Sequence, residues 1–222
     1  MGVPVLVMGE SGSGKTFSLR NFKPDEVGIF SVEKGRLPFK GDFKVKKRAT
    51  YKDIAGIFKD PKLKRYVIDD SQYMMAFKLI DKWTENGYAK YTEVARDFKR
   101  LIDTIIVNTT PDTIVYFLHH TETMDDGKVK AKTSGKMIDN WLTLEGLFSI
   151  VIMAVATENK HLFITQSDGT NTCKSPMGML ENPMDNDLLL VDKAIREYYD
   201  LKPIGLVEKK KNLAETAERL PG

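Results

Sequence analysis

Residues 9–16, GESGSGKT, satisfy the spacing G-x-x-x-x-G-K-[ST]. That spacing suits one task, holding the phosphates of a nucleotide. Glycines let the backbone take positive φ and bring its N–H groups close to phosphate oxygens. A helix expected to follow, over residues 16–22, would add the unsatisfied N–H groups of its first turn. Lys15 reaches toward the β- and γ-phosphates, and the Thr16 hydroxyl is a Mg²⁺ ligand. The expected binding set is Gly9, Glu10, Ser11, Gly12, Ser13, Gly14, Lys15 and Thr16, with Phe17 next to it. From average residue usage, a chance match in such a chain is on the order of 1%. Here it also lies between an apolar run and a helical pattern, the context that supports it. The same glycines do not spell G-x-G-x-x-G, so a dinucleotide site is disfavoured. ATP and Mg²⁺ are therefore the expected cofactors.

Three further positions carry chemistry. Residues 66–70, YVIDD, are a hydrophobic strand ending in acid, the Walker B pattern, which assigns Asp69 to Mg²⁺. Asp70 either assists there or caps the helix that follows. Hydrolysis also needs a carboxylate to orient or deprotonate the attacking water. Glu33, which ends the strand-like IFSVE, is the first choice and Asp70 the rival. His119 and His120 end TIVYFLHH. If that strand neighbours the phosphate-loop strand, one of them reaches the γ-phosphate, with His120 ahead. Three histidines and one cysteine are scattered without zinc-ligand spacing.

These side chains need a scaffold. Residues 3–8 (VPVLVM) read as a strand buried on both faces, with Pro4 at its start. Residues 27–32, 66–68 and 113–118 read as further strands, and 51–64 as a helix interrupted near Pro61. Tyr91, Val94, Ala95, Phe98, Leu101, Ile102 and Ile105 recur at three- and four-residue steps, one face of a helix. Residues 149–156 and 161–165 read as a hairpin, 166–186 as a loop and 188–201 as a last helix. Alternating strands and helices imply an α/β fold with a mostly parallel sheet flanked by helices and a C-terminal antiparallel extension. One domain over 1–201 and a flexible or partly helical tail over 202–222 are expected.

Composition bounds the rest. The chain has 222 residues, a formal net charge of +3 and 41% hydrophobic residues, which argues against general disorder. No apolar run approaches the roughly 20 residues of a membrane span. The N-terminus lacks a basic n-region, and Cys173 is the one cysteine, so a cytoplasmic protein without a disulfide is expected. Basic residues cluster at 40–48, 128–136 and 209–211, where solvated surface is the plain reading.

Taken together, GESGSGKT, the strand ending in Glu33, YVIDD and the strand ending in HH resemble the RecA-like ATPase core. More narrowly, the chain is similar to compact phage ATP-binding proteins of the AAA-domain type, including the Sak-type single-strand annealing ATPases. GLFSIVIMA and KSPMGMLE also resemble that group, and the similarity covers residues 3–201. The resemblance implies a Mg-dependent P-loop ATPase of phage DNA recombination. Such a protein binds single-stranded DNA, which stimulates its turnover, and promotes annealing or strand exchange. Lys15 and Thr16 match the Walker A pair, Asp69 the Walker B acid and Glu33 the catalytic glutamate. His119 or His120 stands where RecA has a glutamine sensor. Residues 121–136 fall where RecA has a mobile DNA-binding loop; their lysines suit a phosphate backbone, but they include no aromatic for base stacking. A homo-oligomer is expected, joined through surfaces other than RecA's N-terminal segment. Arg36, Lys136 and Arg196 are the basic residues considered for reaching a neighbour's site. A single-strand binding or replication protein is a further partner in this reading. The alternative is a helicase loader or other nucleoprotein-remodelling ATPase that acts through a protein partner. A small-molecule kinase is disfavoured, since its lid is usually Arg-rich and no arginine lies between 101 and 195. A switch that binds ATP with negligible turnover is the last alternative.

Overall fold

The apolar run before the glycine-rich loop forms strand β1 (Val3–Gly9), in which Val5, Leu6, Val7 and Met8 are all fully buried. Full burial on both faces belongs to the middle of a sheet covered on both sides. The structure, a computed structural model, describes residues 1–33, 36–139, 142–202 and Ile204. After β1 come β2 (Gly28–Ser31), β3 (Val45–Lys47), α1 (Tyr51–Ile57), β4 (Arg65–Asp69), α2 (Gln72–Asp81) and α3 (Ala89–Asn108). Then follow β5 (Ile114–Thr123), β6 (Val129–Ala131), α4 (Lys136–Asp139), β7 (Ile150–Ala156), β8 (His161–Ile164), β9 (Met184–Asp185) and α5 (Leu188–Tyr198).

The strand order is β3-β2-β4-β5-β1-β7-β8-β9, with β6 paired to β5 off this path. Pairs from β3 through β7 are parallel, while β7-β8 and β8-β9 are antiparallel. This is the α/β fold with a C-terminal antiparallel portion that the alternation predicts. Alternate residues of β1 serve opposite faces. Leu6 and Met8 join α3, whose Val94, Phe98, Leu101, Ile102 and Ile105 are buried along one stripe. Val5 and Val7 join α5 through Leu188, Val191 and Ile195.

Several boundaries differ from the sequence reading for identifiable reasons. The helix expected over 16–22 is a single 3₁₀ turn, Thr16–Leu19. The Ser18 hydroxyl donates to Lys15 O at 2.5 Å, a local bond that competes with longer helix, and Pro24 disfavours helix just before it. The helix expected over 51–64 is capped by a Thr50/Asp53 capping box but ends at Ile57. The basic run at 40–48 contributes the edge strand β3, where exposed Lys46 and Lys47 discourage pairing with another chain. Residues 121–136 do not form an open loop. β5 continues to Thr123 and pairs with β6 as a hairpin, Thr121 opposite Ala131, turning at Gly127 with φ +84°. The tail expected over 202–222 lies outside the described residues save Lys202 and Ile204.

At the edge of the sheet where its strands begin, α5 is anchored by a buried ionic network. Asp192 accepts from Arg65 Nε (2.9 Å) and Nη2 (2.7 Å), Arg196 Nε (2.7 Å) and Tyr116 Oη (3.0 Å). Arg196 also donates to the carbonyls of Lys64, Asp112 and Lys202. Arg196 is thus a structural bolt, 7% exposed, and is withdrawn from the residues able to reach a neighbouring subunit.

Candidate phosphate-binding site

Parallel pairing brings the loop and both histidines to one edge of the sheet. Gly9, the end of β1, is in register with His120 on β5. β4 pairs with β5 and not with β1, so β5 runs between the loop strand and Asp69. Thr16 spans that strand: its hydroxyl donates to Asp69 Oδ1 at 3.0 Å.

The loop needs its glycines for space as much as for conformation. A Cβ on Gly9 would sit 2.5 Å from Ser13 Oγ and 2.7 Å from Ala154 O. Gly14 has φ +95°, and a Cβ there would meet His161 Nδ1 at 3.0 Å and Asn186 Oδ1 at 3.1 Å. Lys15 folds over the loop, its Nζ donating to Gly9 O and Glu10 O, each at 2.8 Å. Burial pulls its pKa down to about 8, against the opposing pull of Asp70, Asp69 and Glu10. Asp69 is 6% exposed. Burial, then the neighbouring Asp70 charge, push its carboxyl up to about 6 although Thr16 and Lys15 favour the ionised form.

Gly12, Lys15, Thr16, Asp70, His120 and His161 line one cavity of about 300 Å³, with Phe17 and Pro38 on its wall. Asp70 has φ +58°, a left-handed conformation that a side chain adopts at a cost. His120 Nε2 donates to Asp70 Oδ1 at 3.3 Å. His119 points the other way. It is fully buried, its Nδ1 2.8 Å from Ser71 Oγ and its Nε2 2.7 Å from Lys132 O. Burial lowers its pKa to about 4, so it is neutral, donates through Nε2 to the carbonyl and accepts the serine proton at Nδ1. Of the two histidines, His120 faces the loop.

Glu33 is held elsewhere. It follows β2, which β4 and β5 separate from β1, and lines another cavity of about 870 Å³ with Arg48, Tyr51, Met74, Phe77 and Lys78. The loop cavity therefore brings together Lys15, Thr16, Asp70 and His120 and does not include Glu33. His161, on the antiparallel hairpin, belongs to no motif of the sequence; its Nδ1 lies 3.2 Å from Ser13 O. Its neighbour Asn186 is 3% exposed, and neither amide atom has a hydrogen-bond partner among the described residues.

The β5-β6 hairpin stands beside the loop. Thr121 and Val129 face Gly9–Ser13 across a cavity of about 330 Å³. Of its lysines, Lys130 is committed to Glu122 (3.1 Å) and Asp139 (2.8 Å), while Lys132 is exposed. Asp125 and Asp126 are exposed at the turn. Arg36 is exposed, and the side chain of Lys136 lies outside the described residues. Compared with protein-family models and with curated proteins, the chain matches none.

Proposed function

We propose that the chain is a Mg-dependent P-loop ATPase. The observation that carries this reading is the 3.0 Å Thr16–Asp69 hydrogen bond beside Lys15, at the edge where β1 ends in a glycine-rich loop. A hydroxyl and a carboxylate are the hard oxygen donors that Mg²⁺ takes. The ion, when bound, neutralises charge on the β- and γ-phosphates. The loop N–H groups and Lys15 hold the phosphate oxygens. Asp70 orients the attacking water, and His120, bonded to Asp70, registers the γ-phosphate. Glu33 is the rival for the water. One strand inserted between the loop strand and the Walker B strand supports the finer reading, a RecA-like core.

The resemblance extends the proposal to phage DNA recombination on single-stranded DNA by a homo-oligomer. Lys128 and Lys132 on the hairpin next to His119 and His120 would contact the strand. The hairpin also favours the second reading, an ATPase acting through a protein partner such as a helicase, because Lys130 is already paired and Asp125 and Asp126 lie at the turn. ATP turnover with Mg²⁺, without and with single-stranded DNA, tests both. Loss of turnover in Lys15→Ala and a rise with DNA support the DNA-linked ATPase. Turnover indifferent to DNA, with no DNA binding at low salt, moves the proposal to the protein partner. Turnover unchanged in Lys15→Ala would sink the ATPase reading.

A further inference from the structure

The cavity that Lys15 and Thr16 line has a second, different wall. Phe17, 38% exposed, and exposed His161 meet there with ring centroids 6.5 Å apart and planes at 49°. Both rings are held. The Arg20 guanidinium lies 4.5 Å from the Phe17 centroid. Arg20 is itself tied to Asn186 O at 2.6 Å and to Phe17 O at 3.3 Å. One face of Phe17 is thus covered and its orientation set. On the histidine, Nδ1 faces the Ser13 carbonyl at 3.2 Å. A carbonyl only accepts, so Nδ1 carries the hydrogen, and in that tautomer of the imidazole Nε2 is the acceptor.

This wall differs from the rest of the cavity. Elsewhere the lining offers the loop backbone, the Lys15 ammonium, the Thr16 hydroxyl, the Asp70 carboxylate and His120, which suit phosphate and metal. Here it offers flat π surface and one ring-nitrogen acceptor. The complementary ligand group is a planar heteroaromatic ring with an N–H on its edge. We propose that Phe17 and His161 form the base-binding wall of the nucleotide site, where the nucleobase stacks and donates an edge N–H to His161 Nε2. The inference rests on the phosphate site proposed above and adds which residues hold the other end of the nucleotide.

The test is to measure Kd for Mg-ATP and for Mg-tripolyphosphate, which lacks the base, on the full chain by calorimetry. Phe17→Ala and His161→Ala should each weaken ATP by about tenfold and leave tripolyphosphate unchanged. Phe17→Trp, which enlarges the stacking surface, should retain or tighten ATP. Equal loss of both ligands in the alanine variants would overturn the inference, because the two rings would then only shape the loop. ATP binding no tighter than tripolyphosphate to the unmodified chain would overturn it too, while leaving the phosphate site standing. Failure of both ligands to bind, or indifference to Lys15→Ala, would bring down the phosphate site and the base wall with it.

Discussion

Thr16 Oγ1 and Asp69 Oδ1 are 3.0 Å apart although 53 residues separate them in the chain. The contact crosses β5, which lies between β1, whose loop leads to Thr16, and β4, which ends in Asp69. It fixes the loop against the acid that would share its metal. It also holds a carboxylate where burial opposes ionisation.

That opposition has a measurable consequence. Asp69 titrates near 6 in the folded chain, against an ordinary value of 3.8. Between those values the native state binds more protons than the unfolded state, so this group's contribution to stability falls as pH rises through about 4 to 6. The difference amounts to about 3 kcal/mol by pH 7. Asp69→Asn should therefore be more stable than the parent by about 1–3 kcal/mol at pH 7, with the gap closing toward pH 4. The same variant should lose Mg-dependent ATP binding. Denaturant titrations across that range check it, and a gap independent of pH would refute the assignment.

Asp70 and Glu33 can be separated directly. Asp70 lines the loop cavity and is bonded to His120, whereas Glu33 lines the cavity beside Arg48 and Lys78. Asp70→Asn should lower kcat by about 10²–10⁴-fold with ATP affinity nearly kept, the size of a lost general base. Glu33→Gln should leave kcat close to the parent. Asp70→Gly relieves the left-handed backbone, so it should fold at least as stably while being as inactive. The reverse pattern in the two conservative variants would transfer the water-activating role to Glu33.

The parts that could be read in the sequence are those governed by short-range pattern. The loop, Asp69 and the α3 stripe from Val94 to Ile105 each depend on spacing within one element. His161 could not be found that way. It reaches Ser13 only because β7 pairs with β1 and β8 with β7, a register that no local motif announces. The cavity that Glu33 lines could not be read locally either, for the same kind of reason. Ending a strand at the right edge does not say how many strands intervene. The mobile loop that the resemblance implies over 121–136 is instead a hairpin, because Thr121–Thr123 continue a strand that begins in the core.

Asp192 supports the fold and not the chemistry. Burial by itself would raise its pKa, but the Arg65 and Arg196 guanidinium groups outweigh burial and hold it below the ordinary range. Its contribution is thus present above the unfolded value and lost on acidification, the opposite sign to Asp69. Asp192→Ala leaves two guanidinium groups buried without their shared carboxylate and should cost about 3–5 kcal/mol. Thermal denaturation measures the loss. A change below about 1 kcal/mol, the worth of an exposed pair, would mean the network is solvated in solution.

The hairpin lysines make separable predictions for single-stranded DNA. Removing one phosphate-binding charge should flatten the slope of log affinity against log salt by about 0.7 for a single strand. Lys132 is exposed at the end of the hairpin, with its backbone already fixed by His120 O and His119 Nε2. Lys132→Ala should therefore flatten the slope by about 0.7 without disturbing the fold. Lys130 is held between Glu122 and Asp139, so its charge is already matched. Lys130→Ala should leave the slope unchanged and instead loosen the hairpin, seen as faster amide exchange at Val129 and Ala131. Equal flattening by both variants would mean that DNA pulls Lys130 away from its acids. No flattening by either, with DNA still bound, would move the DNA-binding surface off this hairpin and leave the basic edge strand β3 as the next one to test.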